Sequence, residues 1–397
     1  KQIFMSHKAT SETIKSKPSE AAKEIHTIGL NHRDETESSR KLAPAIIDKL
    51  KEHQLFRMGL PKHLGGWEDN PVETLKTYEI LASAETSVAW VVWNNHLACT
   101  FGRFLEESSM NEIYKSPLDV YANSTRPEGF AKIVPGGYMV SGRWTLVSGS
   151  ELADWFVLRC LVTGDDLPSK LGPDAKLKLM YLPKKYVKII DTWSVGGLRG
   201  TGSHDIEVAE TFVKNNYAVD FNSPVTNNNA YNRLPIGCIN ASGCASMTLG
   251  LLKAAIDELT KMCLDRVTLG KSPDLRDRLT VQTVIAKAKT TLASKRIQLH
   301  NTVTTLWDES VEGKTFSNEQ LADVWAASCE AATASRAMVS DIYAVAGTSS
   351  LYTKYRIERI HRDIYAVLQH GIIQPHWLDQ AGMAYVGLKP SAAMFRI

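Results

Sequence analysis

Several features that would mark other classes of protein are scarce or missing in this chain. It has six cysteines in 397 residues, and no two have the Cys-x-x-Cys spacing. We therefore expect buried thiols of a reducing compartment instead of a disulfide framework or a zinc site. Membrane and targeting segments are missing too, since no stretch approaches the ~20 apolar residues of a membrane span. The first 25 residues also lack the apolar core of a secretory signal. A net charge of +3 without a dense Lys/Arg run gives no reason to expect nucleic acid or an anionic membrane as partner. Together these absences predict a cytoplasmic enzyme.

Sequence signatures of common enzyme classes are missing as well. There is no P-loop or Rossmann fingerprint, because the clustered glycines at residues 197–203 have the wrong spacing and no helix pattern follows them. No Gly-x-Ser-x-Gly elbow supports serine-hydrolase chemistry. The spacing Glu358-x-x-His361 is that of carboxylate-bridged iron helices, but a di-iron bundle needs two such motifs and this one occurs once. We therefore expect no metal site.

Hydrophobic periodicity divides the chain into helix-rich, strand-rich and helix-rich parts. Apolar residues recur at helical spacing within residues 38–53, and Asn70-Pro71 has the pattern of a helix N-terminus. Between about residues 120 and 221, short apolar runs alternate around glycines, as in strands. Four long helical runs then follow, at residues 245–264, 279–306, 318–346 and 356–368.

This pattern predicts an α+β fold, because the strand-rich segment suits a small β-barrel or sandwich and four long helices make a bundle. We predict three domains: an N-terminal helical domain at residues 1–119, a middle β-barrel domain at residues 120–221, and a C-terminal four-helix bundle at residues 222–397.

The last helical run carries the most informative pattern. It reads Arg356-x-x-x-x-x-Arg362-Asp363 and follows a segment of small residues at 344–350. This combination resembles the C-terminal signature of the acyl-CoA dehydrogenase fold. In the dehydrogenases, a Glu shortly after the Arg-Asp pair is often the base that removes a substrate proton. Here that stretch reads Leu-Gln-His370-Gly, with an imidazole and no carboxylate. The chain therefore resembles the oxygen-using relatives of the dehydrogenases, the group D flavin monooxygenases.

The resemblance covers nearly the whole chain and implies the acyl-CoA dehydrogenase architecture. It also implies the oxygenase component of a two-component system. Such a component receives reduced FAD or FMN from a separate NAD(P)H-dependent flavin reductase and uses O₂, through a C4a-hydroperoxyflavin, to hydroxylate a small aromatic substrate. Residues 72–90 look most like monooxygenases of small aromatic or indolic acids, including indole-3-acetate, and also fit the dibenzothiophene monooxygenases. A homotetramer is expected in this fold. The substrate, the choice between FAD and FMN, and the reductase stay open.

Four polar residues match the catalytic set that the resemblance implies around the flavin C4a–N5 edge. They are His96, Asn123, Ser148 and His370. Ser148 lies in a Trp-x-x-x-Ser-Gly segment that resembles the family pattern near N5, where a hydroxyl protects the N5 proton. His370 takes the place of the dehydrogenase Glu. An imidazole titrates near neutrality, so it can donate to a peroxide or remove a phenol or indole proton, whereas a carboxylate would repel the peroxide anion.

A second set of residues resembles the flavin-binding positions of the family. Trp offers a stacking face, Ser and Thr hydroxyls reach polar edges, and Gly lets the backbone approach the ring. We predict that Ser148, Trp193, Arg199, Thr201, Ser203 and Arg266 bind the flavin.

Aromatic residues near His96 are expected to form the substrate pocket, because apolar walls keep water from a reactive intermediate. We predict Trp90, Trp93 and His96 for this role. Three alternatives remain: a dehydrogenase that oxidises a thioester with Asp341 or Glu358 as base, a sulfur- or nitrogen-oxidising monooxygenase of the same fold, and a catalytically silent scaffold. A bound yellow flavin would indicate the dehydrogenase, and no flavin binding would indicate the scaffold.

Overall fold

The computed structural model describes residues 17–265 and 273–397 of the chain. The N-terminal part is helical, with α1 (Pro18–Asn31), α2 (Arg33–Ser39), α3 (Pro44–Glu52), α4 (Val72–Ala84), α5 (Thr86–Thr100) and α6 (Glu107–Ile113). Proline opens α1 and α3, where its fixed φ suits the first helical turn. At the start of α4, the Asn70 side chain accepts a hydrogen bond from the Val72 N–H at 3.0 Å. The Asn70-Pro71 pattern thus marked the true start of this helix.

The middle part is one seven-stranded mixed sheet. Its strands are β1 (Tyr121–Val134), β2 (Gly137–Val147), β3 (Trp155–Thr163), β4 (Leu177–Pro183), β5 (Lys188–Ile190), β6 (His204–Lys214) and β7 (Ala218–Val219). Their spatial order is β5-β6-β2-β1-β3-β4-β7, and only the β1–β3 pairing is parallel. The predicted barrel is thus a continuous sheet, and in residues 17–265 and 273–397 its outer strands β5 and β7 do not pair with each other.

The C-terminal part is helical, with α7 (Ala230–Arg233), α8 (Ile236–Asp265), α9 (Leu279–Val311), α10 (Asn318–Val345), α11 (Arg356–Val367) and α12 (His376–Tyr385). The predicted runs correspond to α8–α11, with α8 beginning nine residues earlier than expected. A capping box between Ser317 and Gln320 starts α10. None of the helices described is both long and apolar enough to span a bilayer.

Helix α5 connects the two hydrophobic cores. Its first half, including Trp90 and Trp93, packs into a core shared with the N-terminal helices and the bundle. Its last turn, including Ala98 and Cys99, packs into the core beneath the sheet. All six cysteines are buried and free, as predicted. Because α5 touches both cores, side chains along it can meet residues from the sheet and from the bundle.

Candidate active site

Three aromatic rings meet where α11 ends. The rings of Trp90 and Trp93 on α5 have centroids 5.1 Å apart. The imidazole of His370, just after α11, stands edge-on to both, 5.6 Å from Trp90 and 5.1 Å from Trp93. The structure therefore brings together three of the predicted site residues, which are separated by up to 280 positions in the sequence.

The hydrogen bond that His370 makes fixes its tautomer. Its Nδ1 accepts the backbone N–H of Ile372 at 3.2 Å, so in the neutral ring the proton is on Nε2. Burial, and secondarily the charge of Arg126, lower the pKa of His370 to about 4. At neutral pH the side chain is therefore an uncharged N–H donor. With Nδ1 occupied, it is poorly placed to act as a base.

Ser148 is joined to this cluster through Trp90. It lies just after β2, before Gly149, whose φ of 71° is readily adopted by glycine. The indole Nε1–H of Trp90 donates to Ser148 Oγ at 2.9 Å. One α5 indole therefore contacts the imidazole from the bundle and the serine from the sheet.

Two further predicted residues continue from Ser148. Ser203 Oγ lies 2.7 Å from Ser148 Oγ, and Thr201 Oγ1 lies 2.7 Å from Ser203 Oγ. Thr201 also donates to the carbonyl oxygen of Leu198 at 2.9 Å. All three hydroxyls are buried. The structure thus places Ser148, Ser203 and Thr201 in one line of hydrogen bonds, which ends on a backbone carbonyl.

The Arg-Asp pair of α11 holds the loop that carries these hydroxyls. Asp363 Oδ1 accepts the N–H of Leu198 at 2.8 Å, and the Arg362 guanidinium donates to the Gly196 carbonyl. A Cβ at Gly197 would lie 2.5 Å from the Arg362 carbonyl oxygen, so only glycine permits this approach. Burial, and secondarily the charge of Glu85, raise the pKa of Asp363 to about 7. The signature motif therefore attaches the β domain to the bundle.

Comparison with known proteins relates nearly the whole chain to one fold. Residues 242–375 match the family described as acyl-CoA dehydrogenase, C-terminal domain. The indole-3-acetate monooxygenase of Pseudomonas putida is 27% identical over 358 residues, which cover 90% of each chain. The flavin-dependent monooxygenase oxygenase subunit HsaA of Rhodococcus jostii is 30% identical over 237 residues, covering 56% of this chain and 59% of that protein. The structure of XiaF from Streptomyces sp., in complex with FADH2 and glycerol, superposes with a TM-score of 0.84 at 20% identity, covering 94% of this chain and 96% of XiaF.

The chain has the acyl-CoA dehydrogenase fold. Its relatives are flavin-dependent monooxygenases, and both the predicted fold class and the predicted resemblance are confirmed.

Two predicted catalytic residues of this acyl-CoA dehydrogenase-fold chain have other partners. Asn123 Nδ2 donates to the Asn94 carbonyl at 2.8 Å, which holds the start of β1 against α5. His96 lies between two tyrosines, with Nδ1 2.6 Å from Tyr78 Oη and Nε2 2.7 Å from Tyr231 Oη. Burial lowers the pKa of His96 to about 3, so it is neutral. Within the described ranges, no hydrogen bond or ring contact joins His96 to His370 or Ser148.

The remaining predicted flavin residues lie on or near the loop before β6. Trp193 Nε1 donates to the Leu198 carbonyl at 3.1 Å and therefore helps to hold the loop. Arg199 Nε lies 3.8 Å from Glu37 Oε1, and it is buried without a hydrogen-bond partner among the residues that the structure describes. Arg266 lies outside the described residues. No group of three or more His, Cys, Asp or Glu that could hold a metal is found in residues 17–265 and 273–397.

The side chains present suit a flavin. The buried Arg199 Nε is an unused donor, Ser148 Oγ keeps a free lone pair, and a Cβ at Gly196 would meet no atom within 4 Å. The sequence did not indicate that the backbone of Leu198 holds both Asp363 and Thr201, and it gave Asp363 no role beyond the signature. The only sequence signal for this contact was the Arg-Asp pair itself.

Proposed function

We propose that the chain is the oxygenase component of a two-component flavin-dependent monooxygenase that hydroxylates a small aromatic acid such as indole-3-acetate. Reduced FAD or FMN would come from a separate NAD(P)H-dependent reductase, and when bound it would supply the electrons that activate O₂. The proposal is supported by relatives that are named as indole-3-acetate monooxygenase and as an oxygenase subunit. A cytoplasmic location is part of the same proposal.

The observation that carries the proposal is the neutral imidazole of His370 where a dehydrogenase needs a carboxylate base. Burial and the charge of Arg126 lower the pKa of His370, and no carboxylate of the described residues counteracts that shift. Of the two alternative bases, Asp341 is exposed on α10, and Glu358 is held by two hydrogen bonds from Arg362. A thioester dehydrogenase would therefore lack its base here, which favours the monooxygenase.

The site residues would have three roles: to donate a hydrogen bond, to accept a hydrogen bond and to exclude water. His370 Nε2–H donates a hydrogen bond toward the reacting oxygen, and an uncharged donor neither loses its proton nor repels an anion at neutral pH. Ser148 Oγ, with one lone pair free, would accept a hydrogen bond from the N5–H of a reduced flavin. The rings of Trp90 and Trp93 line the site with apolar surface, which keeps water away from the reaction.

The position and charge of Arg126 favour a substrate that carries a carboxylate. It lies on β1, three residues beyond Asn123, and its positive charge contributes to the lowered pKa of His370. Its side chain is 56% exposed, and the nearest carboxylate oxygen, on Glu128, is 4.0 Å away. Glu128 is already engaged by the backbone N–H and hydroxyl of Thr145. A largely free guanidinium beside an apolar site is suited to bind the carboxylate of an aromatic acid.

The test combines the purified chain with NADH, a generic flavin reductase, ¹⁸O₂ and a panel of indole-3-acetate, indole-3-acetamide, phenol and a thioether. The expected product is an aromatic acid that has gained one ¹⁸O atom, formed only when reductase is present. A tightly bound yellow flavin with thioester oxidation would show a dehydrogenase instead. Failure to bind flavin in either redox state would show a scaffold.

A further inference from the structure

The three hydroxyls of Ser148, Ser203 and Thr201, called the hydroxyl row below, have a direction that the structure determines. Each hydroxyl has one proton to donate and two lone pairs. The row begins at the Leu198 carbonyl, a backbone acceptor 2.9 Å from Thr201 Oγ1. It ends at Ser148, which already accepts the Trp90 indole N–H.

In one direction, every proton of the row has an acceptor. Thr201 donates to the Leu198 carbonyl, Ser203 donates to Thr201, and Ser148 donates to Ser203. Ser148 then has one lone pair occupied by the Trp90 N–H and one lone pair free. It has no proton left for a ligand.

In the opposite direction, Thr201 donates to Ser203 and Ser203 donates to Ser148. The Leu198 carbonyl then loses one hydrogen bond, and the Ser148 proton has no acceptor among the described residues. Since Ser148 is 6% exposed, an unpaired proton there carries the cost of a buried unsatisfied donor. The first direction is therefore the more stable one in the free protein.

We infer that the hydroxyl row selects reduced flavin over oxidised flavin by keeping Ser148 an acceptor. This inference rests on the proposed function, which places the flavin N5 edge at Ser148. Reduced flavin carries a proton on N5 and needs an acceptor there, which the free lone pair of Ser148 provides. Oxidised flavin has an unprotonated N5 and needs a donor, which Ser148 can become only if the whole row reverses.

Thr201 and Ser203 therefore act as positioning residues and not as direct flavin ligands. Both are buried more deeply than Ser148, at 1% and 3% against 6%, so Ser148 is the most accessible member of the row. The carbonyl that fixes the direction is itself held in place, because the same peptide segment donates the Leu198 N–H to Asp363 and its oxygen also accepts the Trp193 indole N–H. The Leu198 carbonyl thus controls the preference for one flavin redox state, although it contacts Ser148 only through the hydrogen bonds of Thr201 and Ser203.

The experiment measures the dissociation constants of oxidised and anaerobically reduced FMN and FAD, and takes their ratio for each variant. Thr201→Val removes the link to Leu198 and frees Ser203 to donate to Ser148. Ser203→Ala removes the acceptor of the Ser148 proton. Each should lower the preference for reduced flavin about threefold to tenfold, the effect of about one hydrogen bond. Thr201→Ser should restore the wild-type ratio.

Ser150→Ala is the matched control. Ser150 is fully buried in the same region and donates to the Gly202 carbonyl at 3.0 Å, but it lies outside the row. Its ratio should equal that of the wild type. A wild-type ratio in both Thr201→Val and Ser203→Ala would overturn the inference, and if one of them does not fold, the other decides. If the wild type itself binds neither flavin form, the proposed function fails, and that outcome is distinct from failure of the row alone.

Discussion

Replacing His370 by alanine should uncouple oxygen consumption from product formation while leaving the fold intact. Among the described residues, the one side-chain hydrogen bond lost is that between Nδ1 and the Ile372 N–H, worth about 1 kcal/mol. The larger loss is the Nε2–H donor of the ring that packs edge-on against Trp90 and Trp93. Without this donor, oxygen should still be reduced, but it should leave the site mainly as H₂O₂.

The size of the effect follows from the role of a fixed, uncharged donor. Removing one preorganised donor from an enzyme site commonly lowers the rate about 10²–10³-fold. Some coupling can survive through Ser148, so we expect the yield of hydroxylated product per O₂ consumed to fall at least about tenfold in His370→Ala. The ratio is measured with an oxygen electrode, a peroxide assay and product quantification in the same reaction.

Two replacements separate a donor from a base. The amide N–H of glutamine in His370→Gln can take the place of Nε2–H, so this variant should retain more product than His370→Ala. The carboxylate in His370→Glu only accepts, so it should be no better than alanine. Because the pKa of His370 is lowered to about 4, neither histidine nor glutamine changes charge above about pH 5. The ratio of their product yields should therefore be constant from about pH 5.5 to 8.5.

His361→Ala is the control, since His361 stacks on Tyr343 with ring centroids 4.2 Å apart and lies earlier on α11. It should leave coupling nearly unchanged. Full coupling in His370→Ala, or a His370→Glu variant more active than His370→Gln, would show that the donor role is wrong.

Three further predictions concern the substrate, acid stability and assembly. Arg126→Gln should raise the KM for indole-3-acetate at least about tenfold and leave the KM for indole-3-acetamide within about twofold. The control Arg143→Gln, which removes a surface ion pair with Asp205, should change neither KM. An equal increase in KM for both substrates would contradict the role of Arg126 in binding the carboxylate. Burial lowers the pKa of His96 from 6.5 to about 3, so the unfolded chain binds a proton that the folded chain does not, and the free energy of unfolding decreases as the pH falls below about 6.5. In His96→Gln, the slope of the unfolding free energy against pH, obtained from denaturant titrations, should be smaller by about 1.4 kcal/mol per pH unit near pH 5. An unchanged slope would show that His96 is not neutral in the fold. Light scattering at micromolar concentration should give a tetramer, since the bundle exposes apolar side chains such as Leu279 at 77%, and a monomeric mass would remove this prediction.

The order of helices and strands could be read from the sequence because each part has its own periodicity. The Asn70-Pro71 motif shows how a short pattern marks a helix start, because Pro71 directly precedes α4 and the Asn70 side chain accepts the Val72 N–H. His370 and Ser148 could be proposed because short motifs surround them. The structure brings both to Trp90, although no spacing in the sequence links them.

His96 shows where such reasoning is limited. A histidine on an apolar helix can face a reaction centre or be satisfied within the core, and periodicity does not distinguish the two. Its partners Tyr78 and Tyr231 come from α4 and α7, so only the packing of three helices shows that both ring nitrogens are occupied. The tautomer of His370 is equally hidden, because it depends on a backbone N–H.

The role of Asp363 is the one that the sequence reveals least. In the sequence it is half of a signature pair, and its carboxylate could be taken for a surface charge or a base. In the fold it is 4% exposed and accepts the N–H of Leu198, 165 positions away. A backbone N–H has no side-chain identity, so no motif could reveal this partner. Since the Leu198 carbonyl also fixes the direction of the hydroxyl row, α11 connects to the proposed flavin site twice, through His370 just after its end and through Asp363 by way of the loop.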